Sequence, residues 1–376
     1  MPPRQKTTAQ TTDSTDSASG QIRWSRRVLQ AYDLDVLDVM PVRGVFRIET
    51  PRGPMCLKKV NYGVGDLLFI DSAMEHLAEN EFPRVARFHP TRDGQPFTTV
   101  GNRLFVLTDW IDGRECDYDL PSDLDLASRT LAELHQASRG FTPPAEARNR
   151  AEWGRWPEKF WSRCADLQAM KMMIARRRRK TRFDREFDRW IDYHYQHGLR
   201  SLEILERSPY AKVTERGKAE KSFCHHDYAH HNVILDEAGL AHLIDFDYCI
   251  ADIRIHDLAS LIQRNLKGNQ WDFSIARFIL DSYSSVSSVS PDELIVMLAF
   301  FWFPQDFWQV GLQFYVEKKD WGDRFLDILR RKTKYLAYRE VFLHQFAEYT
   351  AEKAGASLSD LGAPEVLREE AIYFLV

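Results

Sequence analysis

Alternating apolar and polar residues near the start of the chain predict a group of short β-strands. Three strands are expected, at residues 36–40, 45–49 and 55–60, with turns at 43–44 and 51–54. An apolar face that recurs every three to four residues then predicts a helix from about Asp66 to Asn80. A further apolar run predicts a strand over 103–109. The first 110 residues are therefore expected to form a small, strand-rich unit with one helix.

The rest of the chain has the apolar spacing of amphipathic helices. Helices are predicted at residues 124–138, 256–266, 271–284, 291–303 and 305–316, with one or two more within 158–207. Short strands interrupt them between residues 222 and 247. There, apolar runs at 233–235 and 243–244 flank Asp236-Glu237-Ala238-Gly239, which predicts a β-hairpin. This order of elements indicates an α+β protein with a strand-rich start and a helical remainder.

The composition is that of an ordinary globular protein. Hydrophobic residues make up 44% of the 376 positions and charged residues 28%, which excludes a wholly disordered or collagen-like chain. Residues 1–21 are the exception, because they are polar and are predicted to form a disordered tail. Basic residues number 51 and acidic residues 55, for a net charge of −4. Net charge therefore gives no reason to expect a nucleic-acid partner.

Two further features bear on where the protein works. The longest apolar run, Leu294–Phe303, is much shorter than the roughly 20 residues of a membrane-spanning helix, so no membrane span is expected. The five cysteines lie far apart and form no CxxC pair. This pattern indicates reduced thiols in a cytoplasmic protein and not a disulfide framework.

The candidate chemistry lies in and just before the predicted hairpin. A turn centred between Ala238 and Gly239 would place Asn232 opposite Asp245, although a three-residue turn would shift this register. Facing side chains in an antiparallel pair lie about 4.5–5.5 Å apart, and an amide oxygen and a carboxylate at that distance can share one Mg²⁺ ion. Asp227, on the loop before the hairpin, is then placed to orient an acceptor hydroxyl. The pattern predicts phosphoryl transfer.

These residues resemble a known catalytic motif. The stretch from His225 to Leu235, together with Ile244-Asp245-Phe246-Asp247, is similar to the motif of aminoglycoside and choline phosphotransferases, which have protein-kinase-like folds. More narrowly, the chain resembles the CotS family of bacterial spore coat proteins. The stretches that carry this resemblance are residues 56–59, 107–116, 153–160, 223–235 and 244–261.

The resemblance implies a bilobal, protein-kinase-like α+β fold with ATP and Mg²⁺ as cofactors. Residues 22–110 would form the N-lobe, which binds the nucleotide. Residues 111–376 would form the C-lobe, with the catalytic loop, the metal site and the acceptor site. The implied site residues are a catalytic Asp227, the Mg²⁺ ligands Asn232 and Asp245, a phosphate-binding Lys58, the hinge residues Asp109 and Ile111 beside the adenine, and a supporting Asp257.

Alternatives stay open for some of these positions. Lys59 competes with Lys58 for the phosphate-binding role, and strand alternation favours Lys58. Either Glu75 or Glu79, one helical turn apart, could be the acidic partner of that lysine. Asp247 could contact the metal or only solvent.

Three other groups of residues have more than one interpretation. Histidines 225, 226, 230 and 231 could bind zinc, but the segment lacks the continuous helix and the glutamate of a zincin. His225 is interpreted instead as an internal support of the catalytic loop. Eight basic residues between 171 and 185 indicate a solvated helix face or a docking site for acidic coat partners or an anionic acceptor. The aromatic run at 300–315 indicates either core or the wall of an acceptor cleft.

Two classes of function follow. The resemblance implies a spore-coat-associated phosphotransferase that acts on a hydroxyl, in the cytoplasm or assembled into the coat with other coat proteins. The intact set of Asp227, Asn232 and Asp245 favours an enzyme. The single glycine of the Arg43-Gly44 turn, where a protein kinase has a Gly-rich loop, favours a structural coat component that keeps the fold. A small alcohol, a sugar and a protein serine all remain candidates for the acceptor.

Overall fold

The computed structural model describes residues 25, 27–319, 322 and 324–364. The predicted tail at residues 1–21 lies outside these residues. The described chain forms two compact units. The first contains the described residues up to Glu75, Arg84–Gly113 and Pro143–Asn149, and the second contains His76–Pro83, Arg114–Thr142 and the described residues from Arg150 onwards.

The first unit is built on an antiparallel sheet, which has five strands within the described residues. The strands are β1 (Asp38–Val42), β2 (Val45–Glu49), β3 (Met55–Val60), β4 (Thr98–Val100) and β5 (Arg103–Asp109), in the order β1-β2-β3-β5-β4. The predictions for β2, β3 and β5 are confirmed to the residue, while β1 lies two residues later than predicted. The three-residue β4 is too short to show alternation, and the sequence did not predict it.

Apolar residues cover both faces of this sheet. On one face, Met55 and Leu57 of β3 pack with Phe105 and Leu107 of β5 in a buried cluster. On the other face, Val60 and Val106 pack against Leu67 of helix α1 (Val64–Glu79). The helix predicted at 66–80 is therefore confirmed. Its apolar side supplies the burial that a short sheet needs for stability.

The second unit is mainly helical. Its helices are α2 (Pro121–Ala137), α3 (Trp156–Arg176), α4 (Arg182–Arg207), α5 (Tyr210–Glu220), α6 (Ile255–Gly268), α7 (Phe273–Ser284), α8 (Pro291–Trp302), α9 (Gln305–Gly311), α10 (Arg324–Thr333) and α11 (Leu336–Ala354). A small antiparallel sheet of β6 (Arg114–Glu115), β7 (Val233–Leu235) and β8 (Ala241–Leu243) interrupts them, in the order β6-β7-β8. The predicted α+β architecture is confirmed, whereas α5 and β6 were not predicted.

The two long helices α3 and α4 form much of the core of this unit. They confirm the prediction of one or two helices within 158–207, as two helices. Gly198 of α4 lies so close to α3 that a Cβ atom there would be 2.5 Å from the Cys164 sulfur. Phe187 stacks on Phe307 of α9, with ring centroids 4.2 Å apart. Much of the aromatic run at 300–315 is therefore core, including the buried Phe301, Phe307 and Tyr315.

The basic run at 171–185 spans the end of α3 and the start of α4. Three of its side chains pair with aspartates of α4: Lys171 with Asp192, Arg177 with Asp184 and Lys180 with Asp188. Part of the basic run is therefore paired with nearby carboxylates of α4.

The cysteines differ in burial. Cys116, Cys164, Cys224 and Cys249 are at most 2% exposed, while Cys56 of β3 is half-buried. Burial raises the pKa of each of the four buried thiols. These thiols are thereby kept in their protonated, unreactive form.

None of the helices among the described residues combines the length and the apolar character that crossing a membrane requires.

Candidate functional site

The predicted hairpin is confirmed, but its predicted register is wrong. Val233 pairs with Leu243 and Leu235 with Ala241, so β7 and β8 are offset by one residue from the expected pairing. The cause is a three-residue turn, closed by a bond from the Asp236 amide to the Leu240 carbonyl, with Gly239 at φ +77°. As a result, Asn232 lies opposite Ile244, whose amide donates to the Asn232 carbonyl.

Asp245 therefore follows the hairpin and is not a facing partner of Asn232. Its backbone lies in the left-handed region at φ +63°, and a short 3₁₀ turn, Phe246–Tyr248, comes next. A non-glycine residue in this region is uncommon, although aspartate and asparagine tolerate it better than most residues. Such local strain often occurs at functional sites.

A buried carboxylate holds the loop that carries Asp227. Asp257, near the start of α6, accepts the backbone amides of His225 at 2.7 Å and His226 at 2.9 Å. Burial alone would raise the pKa of Asp257, but the hydrogen bond from His135 Nε2 at 3.4 Å and the nearby His256, 3.6 Å away, outweigh it and hold the pKa below its ordinary value. The carboxylate stays ionised and fixes two successive peptide groups of the loop.

His225 connects the loop to the strand that precedes Asp245. Its Nε2–H donates to the Ile244 carbonyl at 3.0 Å, and its Nδ1 accepts the Asp227 amide at 3.3 Å. Burial lowers the pKa of His225, although the charges of Asp257, Asp227 and Asp245 oppose this effect. The imidazole is therefore neutral, and its two bonds define one tautomer.

The two carboxylate oxygens of Asp227 have different partners. The Arg264 guanidinium of α6 donates to its Oδ1 at 2.6 Å. The Asn232 amide nitrogen donates to the Asp227 backbone carbonyl at 2.9 Å and lies 3.4 Å from Oδ2. Oδ1 thus has a strong, charge-assisted partner, whereas Oδ2 has only a long contact and is the oxygen better placed to accept a proton.

Asn232 and Asp227 are thus brought together. Because the Asn232 nitrogen is directed at Asp227, its amide oxygen is the atom that remains for a cation. Asp247 uses its backbone carbonyl to accept the Arg150 guanidinium at 2.8 Å.

Lys58 and Lys59 lie on opposite faces of β3. Lys58 is half-buried, on the face that also carries Val60, while Lys59 is exposed. Of the two acids proposed as the lysine's partner, Glu75 forms an ion pair with Arg87 at 3.0 Å. Lys58 therefore lies on the face of the sheet that packs against α1.

The hinge residues also have local partners. The Asp109 carboxylate accepts His89 Nε2 at 2.7 Å, and this bond and the His89 charge outweigh burial and lower the pKa of Asp109. Ile111 is half-buried two residues later. Between them, Trp110 lies under the Arg47 guanidinium, 5.1 Å from its ring centroid.

The histidines are not arranged as a zincin. His226 stacks on His256 of α6 with centroids 4.3 Å apart, and a 3₁₀ turn begins at His230, so no continuous helix joins His226 and His230. His135, Cys224 and Asp257 do lie close together, fully buried. Since both oxygens of Asp257 are bonded to loop amides, this group is accounted for by support of the loop.

Sequence reasoning missed two residues beside Asp227. Arg264 lies 37 positions further along the chain, and its only sequence signal is a helical one, because it is two turns after Asp257 on α6. The hydroxyl of Tyr118 is buried and has no hydrogen-bond partner within the described part of the chain. Burial raises the pKa of Tyr118, and the charges of Arg264 and Asp227 also act on it. No local pattern singled it out.

An antiparallel sheet with the helix α1, followed by a helical unit that carries the Asp227 loop and the hairpin, defines the class of kinase-like phosphotransferase folds. The chain belongs to the phosphotransferase enzyme family, whose model matches residues 42–284. The fold is also that of an aminoglycoside phosphotransferase from Alicyclobacillus acidocaldarius. The TM-score is 0.76 at 22% identity, over 87% of this chain and 96% of the other.

Two further proteins are similar. Spore coat protein S of Bacillus subtilis is 26% identical over 285 residues, which cover 75% of this chain and 80% of that protein. An amicoumacin kinase, solved with AMP-PNP and Ca²⁺, has a TM-score of 0.58 at 11% identity, over 86% of this chain and 96% of the other. At that identity the second likeness shows the shared fold alone.

Proposed function

We propose that the chain is an ATP- and Mg²⁺-dependent phosphotransferase that acts on a hydroxyl and is associated with the spore coat. The observation that carries the proposal is the arrangement around Asp227. One carboxylate oxygen is bound by Arg264, and the other has only the 3.4 Å contact with the Asn232 amide, which also donates to the Asp227 backbone carbonyl. Membership of the phosphotransferase family supports the reaction class, and the likeness to spore coat protein S supports the coat association.

Asp227 is proposed as the general base. In the reaction, the acceptor oxygen forms a bond to the γ-phosphorus of ATP, the bond from that phosphorus to the β,γ-bridging oxygen breaks, and ADP leaves. The hydroxyl proton passes to Asp227 Oδ2. Arg264 keeps the carboxylate oriented through Oδ1, so that Oδ2 faces the hydroxyl. Because phosphoryl transfer needs little covalent help, positioning and charge neutralisation supply most of the catalysis.

The donor set fits a hard cation. Asn232 offers an amide oxygen and Asp245 a carboxylate, and oxygen ligands of this kind are those that Mg²⁺ prefers. When bound, Mg²⁺ would neutralise charge on the phosphates of the nucleotide. The neutral His225 links the backbone before Asp245 to the loop of Asp227, so base and metal ligands are held by one buried side chain.

In the first unit, Lys58 is proposed to bind the nucleotide phosphates, with Asp109 and Ile111 beside the adenine. The half-buried position of Lys58 on β3 supports its choice over the exposed Lys59. The amicoumacin kinase of the same fold holds AMP-PNP and a divalent cation. We further propose that the functional division follows the lobes expected from the sequence, residues 22–110 and 111–376.

The second candidate function is a structural component of the spore coat that retains the fold without turnover. It is favoured by the turn at Arg43-Gly44, which is a two-residue turn with positive φ at both positions and a single glycine. Such a turn offers few backbone amides to phosphates compared with a Gly-rich loop.

The deciding experiment compares Asp227→Asn with Glu237→Gln. Both variants change a carboxyl to an amide, and Glu237 is an exposed residue of the hairpin turn. Nucleotide affinity is measured by calorimetry, and slow hydrolysis of radiolabelled ATP reports transfer to water. Loss of a positioned base typically lowers the rate by about 10²–10⁴-fold. We expect that loss for Asp227→Asn alone, with nucleotide affinity within about tenfold of the parent, or 1.4 kcal/mol.

Equal turnover in all three proteins would mean that the hydrolysis is background and that the structural function is correct. Parallel loss of binding and turnover in Asp227→Asn would instead show that Asp227 holds the nucleotide complex together.

A further inference from the structure

A large cavity of the second unit begins beside Asp227. Its volume is about 790 Å³, within the range of small-molecule sites, roughly 300–1,000 Å³. One part of its wall is aromatic, with Trp156, Phe160 and Phe303. Another part carries the amide side chains Gln263, Gln305 and Gln309. Aromatic faces and amide groups together suit a ligand with a ring and several hydroxyl groups.

The charge of this cavity is predominantly positive. Among the described residues that line it, the cations are Lys159, Arg163, Arg264, Lys267 and Lys332, and the carboxylates are Asp227, Asp252 and Asp306. Burial lowers the pKa of His226 well below its ordinary value, so that imidazole adds no charge. Five cations thus line the cavity with three carboxylates. Lys159 is also paired with Glu152, outside the lining, at 2.9 Å, so the cationic excess lies with Arg163, Lys267 and Lys332.

The excess is concentrated where two lysines share one aspartate. Asp306 of α9 is 2.7 Å from Lys267 of α6 and 3.0 Å from Lys332 of α10. Burial alone would raise the pKa of Asp306, but the two ammonium groups outweigh it and hold the pKa below its ordinary value. Two ammonium groups and one carboxylate leave one positive charge at the wall of the cavity.

Arg163 adds a second cation held by neutral groups. Its guanidinium donates to the Gln305 amide oxygen at 2.7 Å and lies 4.6 Å from the centroid of the Trp308 ring. Burial lowers the pKa of Arg163, with the charge of Asp166 opposing this effect. A half-buried cation whose hydrogen-bond partner is an uncharged amide is suited to bind an anion.

One helix connects the cationic wall to the candidate base. His256, Ser260, Gln263, Arg264 and Lys267 line the cavity and recur at helical spacing on α6. Arg264 bonds Asp227, and Lys267 lies one turn further along the same helix. A molecule whose hydroxyl reaches Asp227 therefore has Lys267 and the rest of the cationic wall within the same cavity.

We propose that this cavity binds an anionic polyol of sugar size, with its hydroxyl at Asp227 and its carboxylate or phosphate against Lys267, Lys332 and Arg163. The inference rests on the proposed phosphotransferase function. It specifies that the acceptor of that reaction carries a negative charge. It excludes amino compounds as preferred acceptors, because their ammonium groups would face a wall of like charge.

The test uses four matched probes with the same ring: glucose, glucosamine, glucuronate and glucose 6-phosphate. Binding to the full chain is measured by saturation-transfer NMR without nucleotide, so the result does not depend on turnover. We expect glucuronate or glucose 6-phosphate to bind at least tenfold more tightly than glucose, with glucosamine the weakest. The two anionic probes distinguish a carboxylate site from a phosphate site. Equal binding of all four probes, or preference for glucosamine, would overturn the proposal.

Two variants locate the site. Lys332→Gln removes the second ammonium from Asp306 and should reduce the preference for the anionic probe to less than threefold. Arg330→Gln makes a similar loss of charge at an exposed position of the same helix, α10, and should keep the preference. If both variants lose it equally, the preference reflects general surface charge and the cavity assignment is wrong. ATP hydrolysis by the parent, measured separately, shows whether the phosphotransferase function itself stands.

Discussion

Two buried aspartates of the second unit, Asp257 and Asp252, show how surroundings decide the charge of a single side chain. Asp257 accepts two backbone amides and His135 and lies near His256, and its pKa is below the ordinary value. Within the described residues, Asp252 accepts the Trp156 indole at 3.1 Å and the Ile253 amide at 2.8 Å. Burial raises its pKa to about 6, despite opposing charges from His256 and Lys159. The same residue type is thus a stable anion at one position and a weak acid at the other.

The raised pKa of Asp252 predicts a pH dependence of stability. Between the unfolded value of 3.8 and the folded value of about 6, the native state holds more protons than the unfolded state, so stability falls as pH rises through this window. The whole effect amounts to about 3 kcal/mol, of which about 1 kcal/mol falls between pH 5 and pH 7. Asp252→Asn cannot titrate and should lose this contribution.

Urea unfolding of the parent and of Asp252→Asn at pH 5 and pH 7 measures this contribution to the free energy of unfolding. The parent should lose about 1 kcal/mol more than Asp252→Asn on going to pH 7. Other titrating groups cancel in the comparison, so identical pH dependence in both proteins would show that Asp252 has an ordinary pKa.

At the scale of elements, the contact between α3 and α4 predicts an unusual response to alanine. An alanine is normally favoured over glycine within a helix by up to about 1 kcal/mol. At Gly198, however, the added Cβ would lie 2.5 Å from the Cys164 sulfur on the facing helix. Overpacking of this kind costs about 1–3 kcal/mol, so Gly198→Ala should lower the free energy of unfolding in urea.

Gly268 provides the matched control. It is the last residue of α6, and in the described part of the chain no atom outside its own stretch of helix lies within 4 Å of a Cβ built there. Gly268→Ala should leave stability unchanged or slightly raised. A neutral Gly198→Ala would mean that α3 and α4 can move apart to accept the methyl group.

The elements also show what sequence can predict and what it cannot. Strands β2 and β3 follow from alternation and β5 from a continuous apolar run, because these strands pack on a core. The hairpin register does not follow, because it depends on whether two or three residues make the turn, and the strands on either side are only three residues long. Helix α5, whose sequence mixes charges with few apolar residues, gives too weak a periodic signal to be predicted.

The residues of the candidate site also fall into those that the sequence can predict and those that it cannot. Asp227, Asn232 and Asp245 are found by their spacing along one loop and hairpin, which is local information. Arg264 reaches Asp227 only because α6 packs behind that loop. Its contact therefore depends on tertiary structure, which periodicity within one helix does not describe. The cationic character of the cavity arises in the same way, from residues on several helices.

At the scale of the whole molecule, the proposed metal site predicts that nucleotide stabilises the fold only together with Mg²⁺. A ligand at 100 times its Kd stabilises the native state by about 2.7 kcal/mol. Asp245→Asn should abolish the Mg²⁺-dependent part of the rise in Tm. Asparagine tolerates the φ of +63° at this position as well as aspartate does, so the turn should be retained.

The control for this measurement is ATP with a chelator, which should give the same Tm for parent and variant. An unchanged Mg²⁺-dependent shift in Asp245→Asn would remove Asp245 from the metal site.

The uneven burial of the cysteines makes the chain suited to chemical labelling. A thiol reagent added to the native protein meets Cys56 first, because the other four sulfurs are enclosed in the core. Cys56 is two residues from Lys58 on the same strand face of β3. A dye at this one position would therefore report from beside the proposed phosphate-binding lysine, and the native protein needs no engineered cysteine for such a probe.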